Sequence, residues 1–461
     1  MDFIWQKTAT ELANLISKKE LSSKEVVEAH FNRIAEVNPY LNAITITLDE
    51  LALEAAEKAD NASDEDRKRP FHGVPFTVKE NIDLTGTPTT WGLPLLAEAM
   101  PPSNAPIVDR MIQAGAIPIA RTNLPELGLR LDTDNPLRGR TINPWNKNLT
   151  PGGSSGGEAS AIATGMSPFG LGNDVGGSLR NPAYCCGIAS LKPSVGRIPY
   201  VVSMEPKDIG IVRSFLSDGP MARSVNDLKI GLSILSGRHI SDPASVDVPL
   251  NGPIPKKPKA AIVKDISGFD IAQATIKELE RVKEILSDKG WIVEEVEAPE
   301  LDRVFEVWAS IMNAGFIQAT PKEVFKKETS DYLKRAEGEL VENTIPLGEA
   351  LIERQRLRRL WSKFLNEYSV CIGPTWTNLP WPIDTDLDPD IGINTTKKSF
   401  AFIVPGNCLG IPSIALPTGV SDGLPTGIQI YSDLYREDLC FLAAEIIESE
   451  LKIPTPIDPI I

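Results

Sequence analysis

An α/β layer architecture is what the sequence predicts, on three observations. Short apolar runs alternate with helical patterns from about residue 74 onward. Of the 461 residues, 42% are hydrophobic and 24% charged, the ordinary balance of a globular protein able to bury a large core. No internal repeat and no low-complexity linker divides the chain.

The first part is helical. Leu12, Leu15 and Ile16 lie at helical spacing. Ser22 with Glu25 three residues on has the pattern of a capping box, opening a helix along Val26, Val27, His30, Phe31 and Ile34. Residues 52–60 read as helix and 61–70 as a polar loop. The apolar run Val74 to Val78 predicts a strand, followed by a helix near 105–114 and a strand at Ile117 to Ala120. A helix starts near Gly157, and the run Phe169 to Leu171 follows. Ala260 to Val263 and Trp291 to Val296 flank a helix at about 271–289. Residues 348–369 form a long amphipathic helix, with a short strand at Val370 to Ile372. Residues 375–395, rich in Pro, Asp and Trp, read as a surface loop. The tail gives a helix near 399–409, strands at Ser413 to Leu416 and Thr426 to Ile430, and a helix at 436–449.

Charge and rare residues narrow the function. Lys plus Arg number 47 against 62 Asp plus Glu, a net charge of −15, which argues against a broad basic face for nucleic acid. The five cysteines, Cys185, Cys186, Cys371, Cys408 and Cys440, form no metal-site or CxxC pattern and read as core or free thiols of a reducing compartment. Only His30, His72 and His239 are present, far apart, which limits histidine-based catalysis and metal binding. The Met-Asp-Phe-Ile-Trp-Gln-Lys-Thr start lacks the pattern of a secretory signal, and no run of about 18 apolar residues predicts a membrane span. A cytoplasmic location is expected.

Three segments carry chemistry. In Pro151-Gly-Gly-Ser154-Ser155-Gly-Gly the glycines leave the backbone open to close approach. Glu158 follows where a phosphate loop needs Lys, which disfavours nucleotide binding. In Asp174-Val175-Gly176-Gly177-Ser178-Leu-Arg180 a serine follows two glycines, as in an oxyanion-hole loop or in a plain strand-to-helix turn. Lys79 ends an apolar run, so it is either a solvated strand-end lysine or a desolvated amine able to act as a base.

Together and in this order, these segments resemble the amidase signature family. The matching stretches are Gly73-Val-Pro-Phe-Thr-Val-Lys79, Arg121-Thr-Asn-Leu-Pro-Glu126, Pro151 to Glu158 and Asp174 to Pro182. Gly139 to Trp145, Leu191 to Arg197, Leu409 to Pro412 and Gly423 to Gln429 look like the same family. The resemblance implies an α/β/α fold with a large mixed central sheet. It implies Ser178 as nucleophile, Ser154 as a bridging serine preceded by a cis peptide, and Lys79 as base. It implies an oxyanion hole from the N–H groups of Val175, Gly176, Gly177 and Ser178, and a substrate pocket near Gly128 and Leu129. Ser155 is expected to tune the relay and to join Gly128 and Leu129 in binding substrate, and Asp174 with Arg180 to bind substrate or to shape the turn. Trp308, Phe316, Trp376 and Trp381 read equally as channel lining or as core.

The expected function is hydrolysis of a carboxylic acid amide to the carboxylate and ammonia or an amine, through an acyl-enzyme. Two alternatives stay open: the glutamine-hydrolysing A subunit of a tRNA-dependent amidotransferase, and a non-catalytic binding protein on the same scaffold. Asp132-Thr-Asp134-Asn135 and Asn181 favour the stand-alone hydrolase. The expected layout is a single domain, 1–461, with a core at about 70–235, a variable substrate-covering part at about 240–395 and a C-terminal part, 396–461, returning to the core. No cofactor or metal is implied. The expected partner is a small-molecule amide, and a homodimer is possible in such a family.

Overall fold

The structure, a computed structural model, describes residues 3–202, 210–318, 320–340, 344–451 and 454–460. Residues 319 and 341–343 of the expected substrate-covering part lie outside the described residues. The strands are β1 (Ile44–Thr47), β2 (Pro75–Lys79), β3 (Ile117–Thr122), β4 (Asp134–Asn135), β5 (Gly139–Arg140), β6 (Phe169–Asp174) and β7 (Ala189–Lys192). They continue with β8 (Ser217–Ala222), β9 (Lys259–Ile262), β10 (Ile292–Glu295), β11 (Val370–Pro374), β12 (Ser413–Ser421) and β13 (Leu424–Tyr431). Eleven of them make one sheet in the order β1-β3-β2-β6-β8-β7-β12-β13-β11-β9-β10, while β4 and β5 pair separately. The sheet is mixed: β2 lies parallel to β3 and β6, whereas β6 and β8 run antiparallel.

Both faces of the sheet are covered, which explains why its strands read as continuous apolar runs. Along β9 and β11, Ala260, Ile262, Val370 and Ile372 join one core cluster, and Ala261, Val263 and Cys371 join another. The first cluster is closed by helices Val225–Leu235, Gln273–Asp288 and Glu437–Glu450. The second holds Leu301–Met312 and Leu347–Glu367. Strands from both halves of the chain therefore share one sheet.

The structure adds elements that the sequence reading did not contain, β4, β5 and helix Val225–Leu235 among them. Strands β1, β7 and β8 are additional. The segment of β8, Ser-Asp-Gly-Pro-Met-Ala, resists a strand reading because proline cannot donate to a ladder. It is accommodated because the β7 pairing reaches only Met221 and Ala222, next to Pro220. Helices Leu301–Met312 and Lys327–Glu339 are also additional. The expected helix near 399–409 is two pieces, Gly392–Phe400 and Pro405–Cys408, the second opening on proline.

Candidate active site

The chemistry gathers at the ends of β2 and β6. Lys79 is the last residue of β2 and is fully buried. The loop carrying Ser154 reaches it by squeezing past neighbouring backbone. A Cβ at Gly153 would stand 2.3 Å from the Arg130 carbonyl oxygen, and one at Gly152, whose φ is +80°, 2.6 Å from the Pro182 Cα. The Gly153–Ser154 peptide is cis. Lys79 Nζ lies 2.7 Å from Ser154 Oγ and 2.8 Å from Asn173 Oδ1. Asn173 is held in turn by Asn81: each side-chain amide donates to the other's oxygen, at 3.3 and 3.0 Å.

Burial dominates the electrostatics. It drives the Lys79 amine from its usual 10.5 to about 7, against the pull of Asp174, Asp218 and Glu158. Burial pushes the Glu158 carboxyl up to about 7, although Thr77 and Thr122 donate to it. It pushes Asp218 up to about 8, against the attraction of Arg213 and Lys79. Asp174 goes the other way. Burial raises it, but Arg180, Lys192 and Asn407 outweigh that and hold it well below the usual carboxylate range.

Asp174 and Arg180 shape the Ser178 loop. Asp174 accepts from the N–H groups of Gly177 (2.7 Å) and Leu179 (3.2 Å), and from Arg180 Nε at 3.0 Å. Fully buried Arg180 also donates to the Ile403 carbonyl, Gln429, Tyr431 and Asn407. The pair therefore ties the loop to the C-terminal strands and does not face a ligand. The Gly177 N–H is engaged by Asp174, which corrects the expectation that it is free alongside those of Val175, Gly176 and Ser178.

Ser154 and Ser178 both line a cavity of about 440 Å³. Gly128 and Leu129 line it too, and a Cβ at Gly128 would stand 3.1 Å from Ser154 Oγ. Ser155 does not. Its hydroxyl is buried beneath Gly172 of β6 and has no hydrogen-bond partner among the described groups. Ser155 is the N-cap that precedes helix Gly156–Ala163. Phe316 lines the cavity. Trp308 closes a smaller chamber of about 60 Å³ that also reaches Ser178. Trp376 and Trp381 stack at 4.5 Å in the core. The sequence reading missed Trp91, Val212 and Met312 in the wall, and Asn81 and Asn173 at the amine. The aromatic and branched wall residues carry no local signal, because they converge from distant segments.

All five cysteines are buried free thiols. Asp132, Asp384 and Asp386 lie close enough to share a cation, but Arg130 and Arg140 already neutralise them, at 2.6–2.9 Å. Among the described residues no helix is long and apolar enough to cross a membrane.

Known proteins share this fold and sequence. The amidase family model matches residues 25–441. An indoleacetamide hydrolase of Bradyrhizobium diazoefficiens is 37% identical, over 97% of this chain and 87% of its own. An acylamidase of Rhodococcus erythropolis is 31% identical, over 96% and 95%. The structure of 6-aminohexanoate cyclic dimer hydrolase complexed with substrate superposes with a TM-score of 0.84, at 26% identity over 98% of each chain. The chain thus belongs to the amidase family, and it is a hydrolase acting on the carbon–nitrogen bond of amides.

Proposed function

We propose that this protein hydrolyses a carboxylic acid amide bearing an aromatic or branched apolar group, with Ser178 as nucleophile, Ser154 as proton bridge and Lys79 as base. The observation that carries this reading is the buried Lys79 amine 2.7 Å from Ser154 Oγ, with Ser154 and Ser178 lining one cavity. The neutral amine takes the Ser154 proton, Ser154 takes the Ser178 proton, and Ser178 Oγ bonds to the carbonyl carbon. The N–H groups of Val175, Gly176 and Ser178 receive the oxyanion, each worth roughly 3 kcal/mol. The proton returns through Ser154 to the amide nitrogen, the C–N bond breaks, and ammonia or an amine leaves. Water then cleaves the acyl ester by the same relay and frees the carboxylate.

The substrate class rests on the wall. Trp91, Leu96, Val212, Leu216, Met312 and Phe316 make it chiefly apolar. The names of the two curated relatives, an indoleacetamide hydrolase and an acylamidase, agree with an aryl or acyl amide.

The test is fluorophosphonate labelling followed by an amide panel with the protein alone. Ser178 becomes labelled, and aryl-substituted amides release ammonia or amine faster than glutamine does. An unlabelled Ser178, or near-normal turnover in Lys79→Ala, refutes the mechanism. A preference for glutamine refutes the substrate class and favours the amidotransferase reading.

A further inference from the structure

Ser178 opens on two spaces of unequal size. The large cavity of about 440 Å³ and the small chamber of about 60 Å³ share Ser178, Val175, Gly128 and Leu129. A carbonyl carbon held on Ser178 Oγ therefore stands at their junction. Ser154 lines the large cavity and is not in the wall of the small chamber. A chamber of about 60 Å³ is well under the roughly 150 Å³ of a cavity that takes a benzene ring, a size the large cavity exceeds.

Bonded walls hold the small chamber at its size. Trp308 Nε1 donates to the Val175 carbonyl at 3.2 Å, and its ring packs on Phe400 with centroids 5.0 Å apart. A Cβ at Gly176 would stand 2.8 Å from the Trp308 ring. Leu333 and Ala336, also in the wall, ride on the helix Lys327–Glu339. That helix is tied at its start by the fully buried Glu126 carboxylate. Glu126 accepts the Lys326 N–H at 2.7 Å and the Thr329 hydroxyl at 2.5 Å. It also sits just before Gly128 and Leu129, so one anchor serves two walls of the chamber.

The chemistry decides which part of the substrate goes where. As the tetrahedral adduct breaks down, Ser154 gives its proton to the nitrogen, the C–N bond breaks, and the acyl ester stays on Ser178. The nitrogen and the group it carries therefore lie on the Ser154 side, in the large cavity. The acyl group leaves the same tetrahedral carbon in another direction. The space that Ser178 reaches and Ser154 does not is the small chamber. We infer that the small chamber is the acyl site and the large cavity the amine site, so that the substrate is a short-chain acyl amide of a bulky apolar amine. The inference rests on the reading of Ser154 as the bridge to the leaving nitrogen. Trp91, Val212 and Phe316 then face the amine, while Trp308, Leu333 and Phe400 enclose an acyl group such as acetyl.

The experiment is kcat/KM of the wild-type protein for two isomers, N-benzylacetamide and N-methyl-2-phenylacetamide. They carry the same benzyl and methyl groups on opposite sides of one amide. N-benzylacetamide is expected to be cleaved with a kcat/KM at least about tenfold higher, because its methyl group fits the small chamber and its benzyl group the large cavity. Leu333→Ala widens the small chamber and is expected to raise the rate for N-benzylbutanamide relative to N-benzylacetamide. The wild-type comparison carries the test if that variant does not fold. With Ser178 labelled by a fluorophosphonate, equal rates, faster cleavage of N-methyl-2-phenylacetamide or cleavage of neither isomer overturns this inference alone. An unlabelled Ser178, or near-normal turnover in Ser154→Ala, overturns the catalytic reading itself.

Discussion

Replacing Lys79 with methionine separates what the amine does for chemistry from what its burial costs the fold. Holding a lysine whose amine drops from 10.5 to about 7 costs about 5 kcal/mol at pH 7 and below, at roughly 1.4 kcal/mol per pH unit. Methionine removes that cost but leaves Ser154 Oγ and Asn173 Oδ1 without the amine, a loss of about 1–1.5 kcal/mol each. The expected net effect at pH 7 is a gain of about 2 kcal/mol together with loss of hydrolysis. The sign with pH follows from proton counting. Between about pH 7 and 10.5 the unfolded chain keeps a proton on this lysine that the folded chain has shed, so wild-type stability rises with pH. The advantage of Lys79→Met therefore shrinks by about 3 kcal/mol from pH 7 to pH 9. Urea unfolding of both proteins at the two pH values measures this, with ammonia release as the activity readout. A variant less stable than wild type at pH 7, or an advantage equal at both pH values, refutes the claim that burial dominates this amine.

Phe316→Ala widens the cavity wall, so KM for aryl amides rises about tenfold while that for a short aliphatic amide changes little, as parallel kinetics check. The five cysteines are buried, so a maleimide labels none in the native protein and all five in denaturant, as mass spectrometry checks. Arg180→Ala strands the buried Asp174 carboxylate and destabilises the fold by about 3–5 kcal/mol at pH 7. Asp174 is held low in the wild type and is pushed up by burial in the variant. Acidification therefore lets the variant neutralise it, and the deficit in urea unfolding shrinks as pH falls toward 4.

Helix patterns are legible in this sequence where one face repeats. Leu279, Val282 and Leu286 mark the helix Gln273–Asp288 to within two residues of its reading. Strand β8 is illegible for a stated reason, the proline that only an interrupted ladder tolerates. The run before Lys79 puts it at a strand end, but nothing local dictates that β6 will lie beside it and Asn173 will take its amine. Ser155 looks equivalent to Ser154 because the two are adjacent, yet its hydroxyl lies under Gly172, where a Cβ would stand 2.9 Å from it. The Gly177 N–H looks free in a glycine pair, but the carboxylate three residues earlier folds back on it, as short acidic side chains do in turns. Cavity residues such as Trp91 and Met312 sit more than 200 positions apart, so only the packed sheet brings them together.

Asp174 and Asp218 lie on paired strands, each fully or almost fully buried, and both attract the same amine. Their environments drive them apart, which is how a fold assigns different proton states to like groups. Asp174 meets a guanidinium and two backbone N–H groups, so it stays ionised with its charge matched locally. Asp218 has one oxygen open and the nearby guanidinium bonded elsewhere, so burial pushes it toward the neutral acid. Were Asp218 matched as Asp174 is, a second fixed anion would face Lys79 at every working pH and hold its proton in place. Burial drives the amine down against the pull of both aspartates, one matched by arginine and the other pushed by burial toward its protonated form. The placement of Arg180, whose side chain bonds Asp174, Ile403, Gln429 and Asn407, thereby bears on the proposed base as much as on the fold.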